Sequence, residues 1–375
     1  MFRHAYVHVP FCARRCSYCD FSIAVRRVVP VDEYVAAAAR ELEVRFPDSA
    51  TLSSDSLATL YLGGGTPSRL GGEGVARLLD VMRGRLTLAT DAEVTVEANP
   101  EDVSREAVRA WRAAGVNRLS LGSQSFDESV LRWMHRTHDA AAIGNAVDAA
   151  RAEGIANVSL DLIFALPERT QRSWENDVAR ALELEPSHLS LYGLTIEPHT
   201  PLGRWHRRGD VTESPEERYE AEFLHAHDAL SAAGLEHYEV SNFGRAGMRS
   251  RHNSSYWSGV TYLGIGPSAH EFDGQVRRWN VGPYAEWLER LSEGRDPIEN
   301  REELTADNRG AERVYLGLRT IDGLALSAAE VEHVQPWIRS GWGAVDAHNR
   351  LVLSPLGWLR LDALAADLTL FGSRY

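Results

Sequence analysis

Cys12, Cys16 and Cys19 are the only cysteines of this 375-residue chain, and all three fall within the run VHVPFCARRCSYCDF. Three thiols this close cannot all pair as disulfides. As thiolates they can hold a metal centre, and with no fourth cysteine one coordination position is left without sulfur. An open position on a metal or cluster is where a ligand binds or chemistry occurs. A CxxxCxxC loop can wrap one corner of a cubane cluster, one sulfur to each of three irons, the fourth iron staying open. A structural zinc site completed by His8 or Asp20 is the plainer alternative, although structural zinc favours two separated ligand pairs at two-residue spacing. A CxxC redox motif is a third, opposed by the extra cysteine upstream and by the absence of a helix start.

Other chemistry-bearing residues recur at regular intervals. YLGGGTPS contains Gly63, Gly64, Gly65 and Thr66; consecutive glycines let the backbone approach a ligand that side chains would exclude, with carbonyls free to accept from an ammonium. Glu97 ends a strand-like run in VEANPE, Gln124 ends the next in SLGSQSF, and Arg136 follows in MHRTHD. Asp161 sits inside the apolar run SLDLIFALP, where a carboxylate needs a partner or costs several kcal/mol. Taken singly, each reads as a satisfied structural polar group. Together, at the carboxyl ends or inner faces of consecutive strands, they describe one pocket.

The elements that must carry them follow a repeated strand–loop–helix pattern. Strands are expected at 5–10, 57–65, 92–100, 116–126, 157–167 and 188–198. Helices are expected over 32–46, with Asp32 as N-cap, over GVARLLDVMRGRL, over 104–115 with a glycine stop, and over AIGNAVDAARAEG and WENDVARALELEP. The strands read as apolar runs more than as alternations, the mark of a parallel sheet covered by helices. Six units in about 200 residues give an α/β fold, a partial (β/α)6 barrel rather than a closed eight-stranded one. Residues 200–300 carry fewer strand-like runs and many Trp, Tyr, His and Asn. Residues 301–375 read as a small, mostly helical C-terminal domain with a brief strand at RLVLSP, winged-helix-like in outline, so the expected division is 1–300 and 301–375.

The formal net charge of −13 disfavours non-specific nucleic-acid binding, and the C-terminal segment has no dense basic stripe. No apolar run reaches the roughly 20 residues that span a bilayer, and the first residues do not read as a signal peptide. Three reduced cysteines suit a cytoplasmic setting.

CxxxCxxC after a first strand, with Tyr18 before the third cysteine, resembles the radical S-adenosylmethionine superfamily. That resemblance implies a [4Fe–4S] cluster on Cys12, Cys16 and Cys19, with S-adenosylmethionine chelating the open iron by its amino and carboxylate groups. It further implies Tyr18 near the adenine, and the Gly63–Gly65 segment with Thr66 at the methionine amino group. Gln124 and Asp161 would meet the ribose, Arg136 the methionine carboxylate, and Glu97 this cofactor or a second one.

GGGTPS, VEANPE, SLGSQSF, DLIFALP and YLGIGPSAH together resemble the coproporphyrinogen dehydrogenase-like group over nearly the whole chain. Within it, Phe21 stands where the dehydrogenases carry a further cysteine, and Cys12 lies too near the start for their longer N-terminal segment. RHNSSYW (251–257) matches the HNxxYW motif of the HemW-like haem chaperones. This similarity implies haem as a further cofactor, with His252 as candidate iron ligand and His270 as a second. It implies delivery of haem to acceptor hemoproteins, respiratory and membrane-associated ones among them, and a reductant for the cluster. The alternatives are radical decarboxylation of coproporphyrinogen III, and radical methylation or cyclopropanation. Read without the resemblance, His252 caps a turn while Tyr256 and Trp257 pack against a sheet edge.

Overall fold

The computed structural model of the chain describes residues 2–47, 56–167 and 170–372. Six parallel strands form the barrel: β1 (His4–Val9), β2 (Leu57–Gly64), β3 (Leu88–Ala98), β4 (Arg118–Gln124), β5 (Asn157–Phe164) and β6 (His188–Gly193). Crossover helices α1 (Val31–Arg45), α2 (Gly71–Arg83), α3 (Arg105–Ala113), α4 (Ala140–Ala152) and α5 (Trp174–Glu183) connect them in turn. Ser104, Asp139 and Ser173 cap α3, α4 and α5 by accepting backbone N–H bonds. Asp32 does not cap α1, contrary to expectation. The helix begins one residue earlier, after Pro30, and Asp32 in its first turn instead pairs with Arg77 at 2.5 Å.

The strands alternate after all. On β5, Val158, Leu160 and Leu162 are buried in the core under the helices, whereas Ser159 and Asp161 belong to a polar network on the other face. The same parity runs through β2 (Leu60, Leu62 against Thr59, Tyr61) and β4 (Leu119, Leu121 against Ser120, Gly122). The apolar-run reading missed this because the barrel's inner face is a lined, polar cavity rather than a packed core, so one side of each strand carries chemistry.

Residues 200–300 correct a second expectation. They add six strands to the same sheet: β7 (Glu236–Glu239), β8 (Asn242–Gly244), β9 (Tyr262–Ile265), β10 (His270–Phe272), β11 (Val276–Asn280) and β12 (Ile298–Glu303). The twelve-stranded order is β12-β11-β10-β9-β1-β2-β3-β4-β5-β6-β8-β7, so β1 and β6 do not pair and the barrel stays open. These strands are short, and β7, β10, β11 and β12 carry charged residues, which hid them from a search for apolar runs. β9 runs parallel to β1, and Gly266 (φ +100) just beyond it lies so close to β1 that a Cβ would meet His8 O at 2.4 Å. Buried Glu41 of α1 fixes this corner, accepting from Gly266 N (2.9 Å), Trp287 Nε1 (2.9 Å), Asn280 Nδ2 (2.7 Å) and Arg45 (3.0 Å).

Between β8 and β9 lie helix α6 (Arg251–Trp257) and its turn. Beyond β12, helix α7 (Ala306–Leu318) is followed by strand β13 (Leu324–Ala325), helices Ala328–His333 and Gln335–Arg339, and strands β14 (Gly343–Val345) and β15 (Arg350–Leu353). This helix–strand–helix–helix–strand–strand order, with a three-stranded sheet β13-β15-β14, is a winged-helix arrangement. A final helix, Leu361–Gly372, packs on α7.

Candidate functional site

A cavity of about 430 Å³ opens at the carboxyl ends of the barrel strands. Its wall brings together Cys12, Cys16, Cys19, Tyr18, Gly64, Gly65, Thr66, Glu97, Gln124, Arg136 and Asp161. Gly63 does not line the cavity; a Cβ there would meet the rings of Tyr6 (2.8 Å) and Tyr61 (2.9 Å), so its bareness serves packing beneath the site.

The cysteine loop is closed at its base by a short parallel pairing, Phe11 with Ala24 and Cys12 with Val25. Its middle is pinned by Ser17, whose N–H donates to Met134 O (3.1 Å) and whose carbonyl accepts from Leu202 N (2.8 Å). Tyr18 packs against Val130, Met134, Ile163 and Leu166. His8 Nε2 bonds Ser22 O (3.0 Å) and its Nδ1 bonds Tyr6 OH (3.1 Å). With both nitrogens engaged, His8 offers nothing to a zinc ion. Among the described residues no three His, Cys, Asp or Glu side chains converge on a single metal ion.

Cys12 Sγ lies 3.4 Å from Thr66 Oγ1, and Cys16 Sγ lies 3.6 Å from an Arg136 Nη1 donor. Burial raises the Cys12 thiol and pushes Cys19 up to about 11, so neither is a free thiolate unless a cation takes the place of its proton. Arg136 also donates to Asn99 Oδ1 (2.6 Å) and Gly122 O (2.7 Å), while its Nε is buried without a partner. Burial opposes its charge, but Tyr18, Cys16 and Glu101 around it outweigh that and raise its pKa. A buried guanidinium with one unused N–H fits an anionic ligand group.

Glu97 accepts from Tyr61 OH (2.8 Å) and from Gly64 N (3.0 Å). Burial, with the nearby Asp161 charge adding to it, lifts its carboxyl to about 7 despite those two bonds. Asp161 accepts from Ser120 Oγ (3.1 Å to either oxygen), and burial lifts it to about 6. Gly64 (φ +111) and Gly65 leave no room for a side chain: Cβ atoms would lie 2.6 Å from the His8 ring and from Pro10 O. Gln124 and His135, both on the wall, have φ of 66° and 61°, a left-handed backbone uncommon outside glycine and frequent at functional sites. Three thiols, a cation, two buried carboxyls of raised pKa and a bare backbone turn therefore face one space. That donor set suits a thiolate-held cluster beside a ligand bearing an ammonium, a carboxylate and hydroxyls.

Ser120, Gly122, Asn99 and Tyr192 also line the wall and were missed in the sequence. The signal was there: Ser120 and Gly122 share Gln124's parity on β4, and Tyr192 follows Ser190 on β6.

The two histidines proposed for iron lie outside this cavity. His252, on α6, is 1% exposed. Its Nδ1 bonds Thr59 Oγ1 (2.7 Å) and its Nε2 bonds Tyr256 OH (2.9 Å), and burial lowers its pKa to about 3, so the ring is neutral. In this conformation an iron could reach it only by displacing one of those partners. His270 is exposed and stacks on Trp279, ring centroids 5.7 Å apart. No helix among the described residues is long and apolar enough to cross a membrane.

Residues 6–181 match the Radical SAM superfamily model. The chain is 40% identical over 371 residues to the heme chaperone HemW of Mycobacterium tuberculosis (strain H37Rv), covering 97% of this chain and 94% of that one. To the Bacillus subtilis (strain 168) HemW it is 36% identical over 324 residues, 86% and 85% of the two chains. Among solved structures, coproporphyrinogen III oxidase (HemN) from Escherichia coli superposes with a TM-score of 0.81 over 99% of this chain and 91% of that one, at 23% identity, a likeness of fold. On the strength of 40% and 36% identity to those chaperones over 97% and 86% of the chain, with the superfamily match over residues 6–181, the chain belongs to the HemW family of radical S-adenosylmethionine proteins.

Proposed function

We propose that this protein is a haem chaperone that carries a [4Fe–4S] cluster and S-adenosylmethionine, binds haem and hands it to acceptor hemoproteins. The observation that carries the reading is the 40% identity to a HemW chaperone across 97% of the chain. Phe21, 59% exposed on the cavity wall where a dehydrogenase would carry another cysteine, supports it over decarboxylation.

On this reading Cys12, Cys16 and Cys19 hold the cluster. Its open iron, when present, would supply a site for the amino acid end of S-adenosylmethionine and an electron for its sulfonium. Arg136 holds the ligand carboxylate through its spare donor, and Gly64, Gly65 and Thr66 form the turn against which the ammonium lies. Gln124 and Asp161 orient the ribose, with Ser120 fixing the Asp161 carboxylate. Tyr18 packs the loop over the adenine and excludes water. Glu97 holds or releases a proton near neutrality beside these groups. His270 and, on opening of α6, His252 are the haem-ligand candidates. The same reading places the protein in the cytoplasm, with a reductant and with acceptors that include respiratory, membrane-associated hemoproteins. It divides the chain near residue 300 into a core and a small C-terminal domain.

Anaerobic reconstitution followed by haem titration, with a coproporphyrinogen III turnover assay on the same sample, tests this. Saturable binding near one haem per chain without decarboxylated product is the expected result. Product formed together with 5′-deoxyadenosine, without specific haem binding, would make the protein a dehydrogenase.

A further inference from the structure

A second groove, of about 560 Å³, lies between the RHNSSYW helix α6, the β9–β11 strands and helix α7. It shares no lining residue with the cysteine cavity. Its volume is within the roughly 300–1,000 Å³ typical of small-molecule sites. Tyr256, Trp257, Tyr262 and Phe272 give it an aromatic floor. Gly259 and Gly274 leave open room at its edge: a Cβ on Gly259 would meet nothing within 4 Å, and one on Gly274 only Thr261 Cγ2 at 3.5 Å. Trp257 keeps its indole N–H buried and without a hydrogen-bond partner.

The rim is cationic. Arg309 and Arg313 lie one turn apart on α7, and Arg277 comes from β11. Arg277 sits over the Phe272 ring (5.6 Å) and pairs with Glu312 (2.7 Å). Arg313 pairs with Glu330 (2.6 Å) and is 46% exposed. Arg309 is exposed, and among the described residues neither a hydrogen bond nor an ion pair engages its guanidinium. In a chain of formal charge −13, three guanidiniums around one aromatic slot against two carboxylates form a local positive site. Guanidinium forks match carboxylates, and aromatic faces match a flat conjugated ring.

We infer that this groove is the haem site: the macrocycle lies against Trp257, Tyr262 and Phe272, and its two propionates are held by Arg309 with Arg277 and Arg313. The inference rests on the proposed chaperone function and gives it a location that His252, sealed behind Tyr256, does not supply. It also assigns the C-terminal unit a task, because two of the three cations come from α7.

The test is absorption titration of the full chain with ferric haem and with ferric haem dimethyl ester, whose propionates are neutralised. Wild type is compared with Arg309→Glu and Arg277→Gln. Haem affinity is expected to fall about ten-fold or more in Arg309→Glu, as for loss of one charged hydrogen bond. Ester affinity should stay unchanged. Retained cluster absorbance in each variant shows that it is folded, since no cluster residue lines the groove. Haem bound with wild-type affinity by both arginine variants would overturn the groove while leaving the chaperone reading intact. Absence of haem binding to wild type would overturn both.

Discussion

His252 lies face to face with Tyr61, ring centroids 4.9 Å apart and planes 24° from parallel. Tyr61 in turn donates to Glu97 on the cavity wall. The HNSSYW helix thus plugs the barrel beneath the cysteine cavity, and the two sites are back to back across one layer of rings. Substituting His252 by Ala removes a buried ring and strands the Tyr256 hydroxyl, while Thr59 keeps its bond to His4 Nδ1 (2.9 Å). A loss of about 2–4 kcal/mol is expected in chemical denaturation. Tyr256→Phe, which loses one hydrogen bond, should cost only about 1 kcal/mol.

Each of the three cysteines is expected to be indispensable to the cluster. Cys12→Ser, Cys16→Ser and Cys19→Ser should each abolish the visible charge-transfer absorbance after anaerobic reconstitution. Stability should change little, because all three side chains are only half-buried in the cluster-free fold. Iron and sulfide analysis checks the first part, and thermal unfolding of the unreconstituted chains the second.

Two glycines with positive φ should behave differently. At Gly64 an added Cβ meets the His8 ring at 2.6 Å, so Gly64→Ala carries both backbone strain and a clash, about 3 kcal/mol or more. It should also weaken S-adenosylmethionine binding, read by equilibrium dialysis. Gly71 has φ +72 and ψ −176, a conformation open essentially only to glycine, but nothing within 4 Å, so Gly71→Ala should carry backbone strain alone, about 1–3 kcal/mol, and leave binding alone.

The buried carboxyls set a pH dependence. Folding raises Glu97 to about 7 and Asp161 to about 6, chiefly through burial. The folded chain therefore holds protons that the unfolded chain releases near its ordinary carboxylate values, about 4 to 4.5. Stability contributed by these protons is full below that range and falls as pH rises through the folded values. Glu97→Gln keeps a neutral group there at every pH. Its stability relative to wild type should rise between about pH 5 and pH 8, by at most roughly 3 kcal/mol. Urea denaturation of both proteins at the two pH values reads it.

Much of this was legible in the sequence. The cysteine run marked a metal site, and the strand-end polar residues fell on one cavity because strand ends in a parallel barrel share one rim. The rest was hidden for identifiable reasons. The inward polar positions of β4 and β6 share a face with residues that were found, but their signal is a two-residue parity in short runs, RLSLGSQ and HLSLYG, whose apolar positions are mostly Leu. Strands β10 to β12, such as VRRWN and IENREE, are half-exposed antiparallel additions whose charged residues mask their pairing. The burial of His252 could not be foreseen: Thr59, its partner, is 193 residues away, and only the fold brings them together. The arginine rim likewise joins β11 to α7 across a helix (Tyr284–Ser292) and a strand.

The position of β9 bears on the order in which the molecule can be made. β1, which leads into the cysteine loop, has β2 on one side and β9 on the other. Ser22 at the end of that loop donates to Gly282 O (2.8 Å). A ribosome that has just delivered Cys12, Cys16 and Cys19 has some 240 residues still to add before the far edge of β1 finds its partner. Contacts so distant in sequence form late. The cysteine loop is therefore made well before the strand that closes its far side, and it is among the last parts of the sheet to be locked.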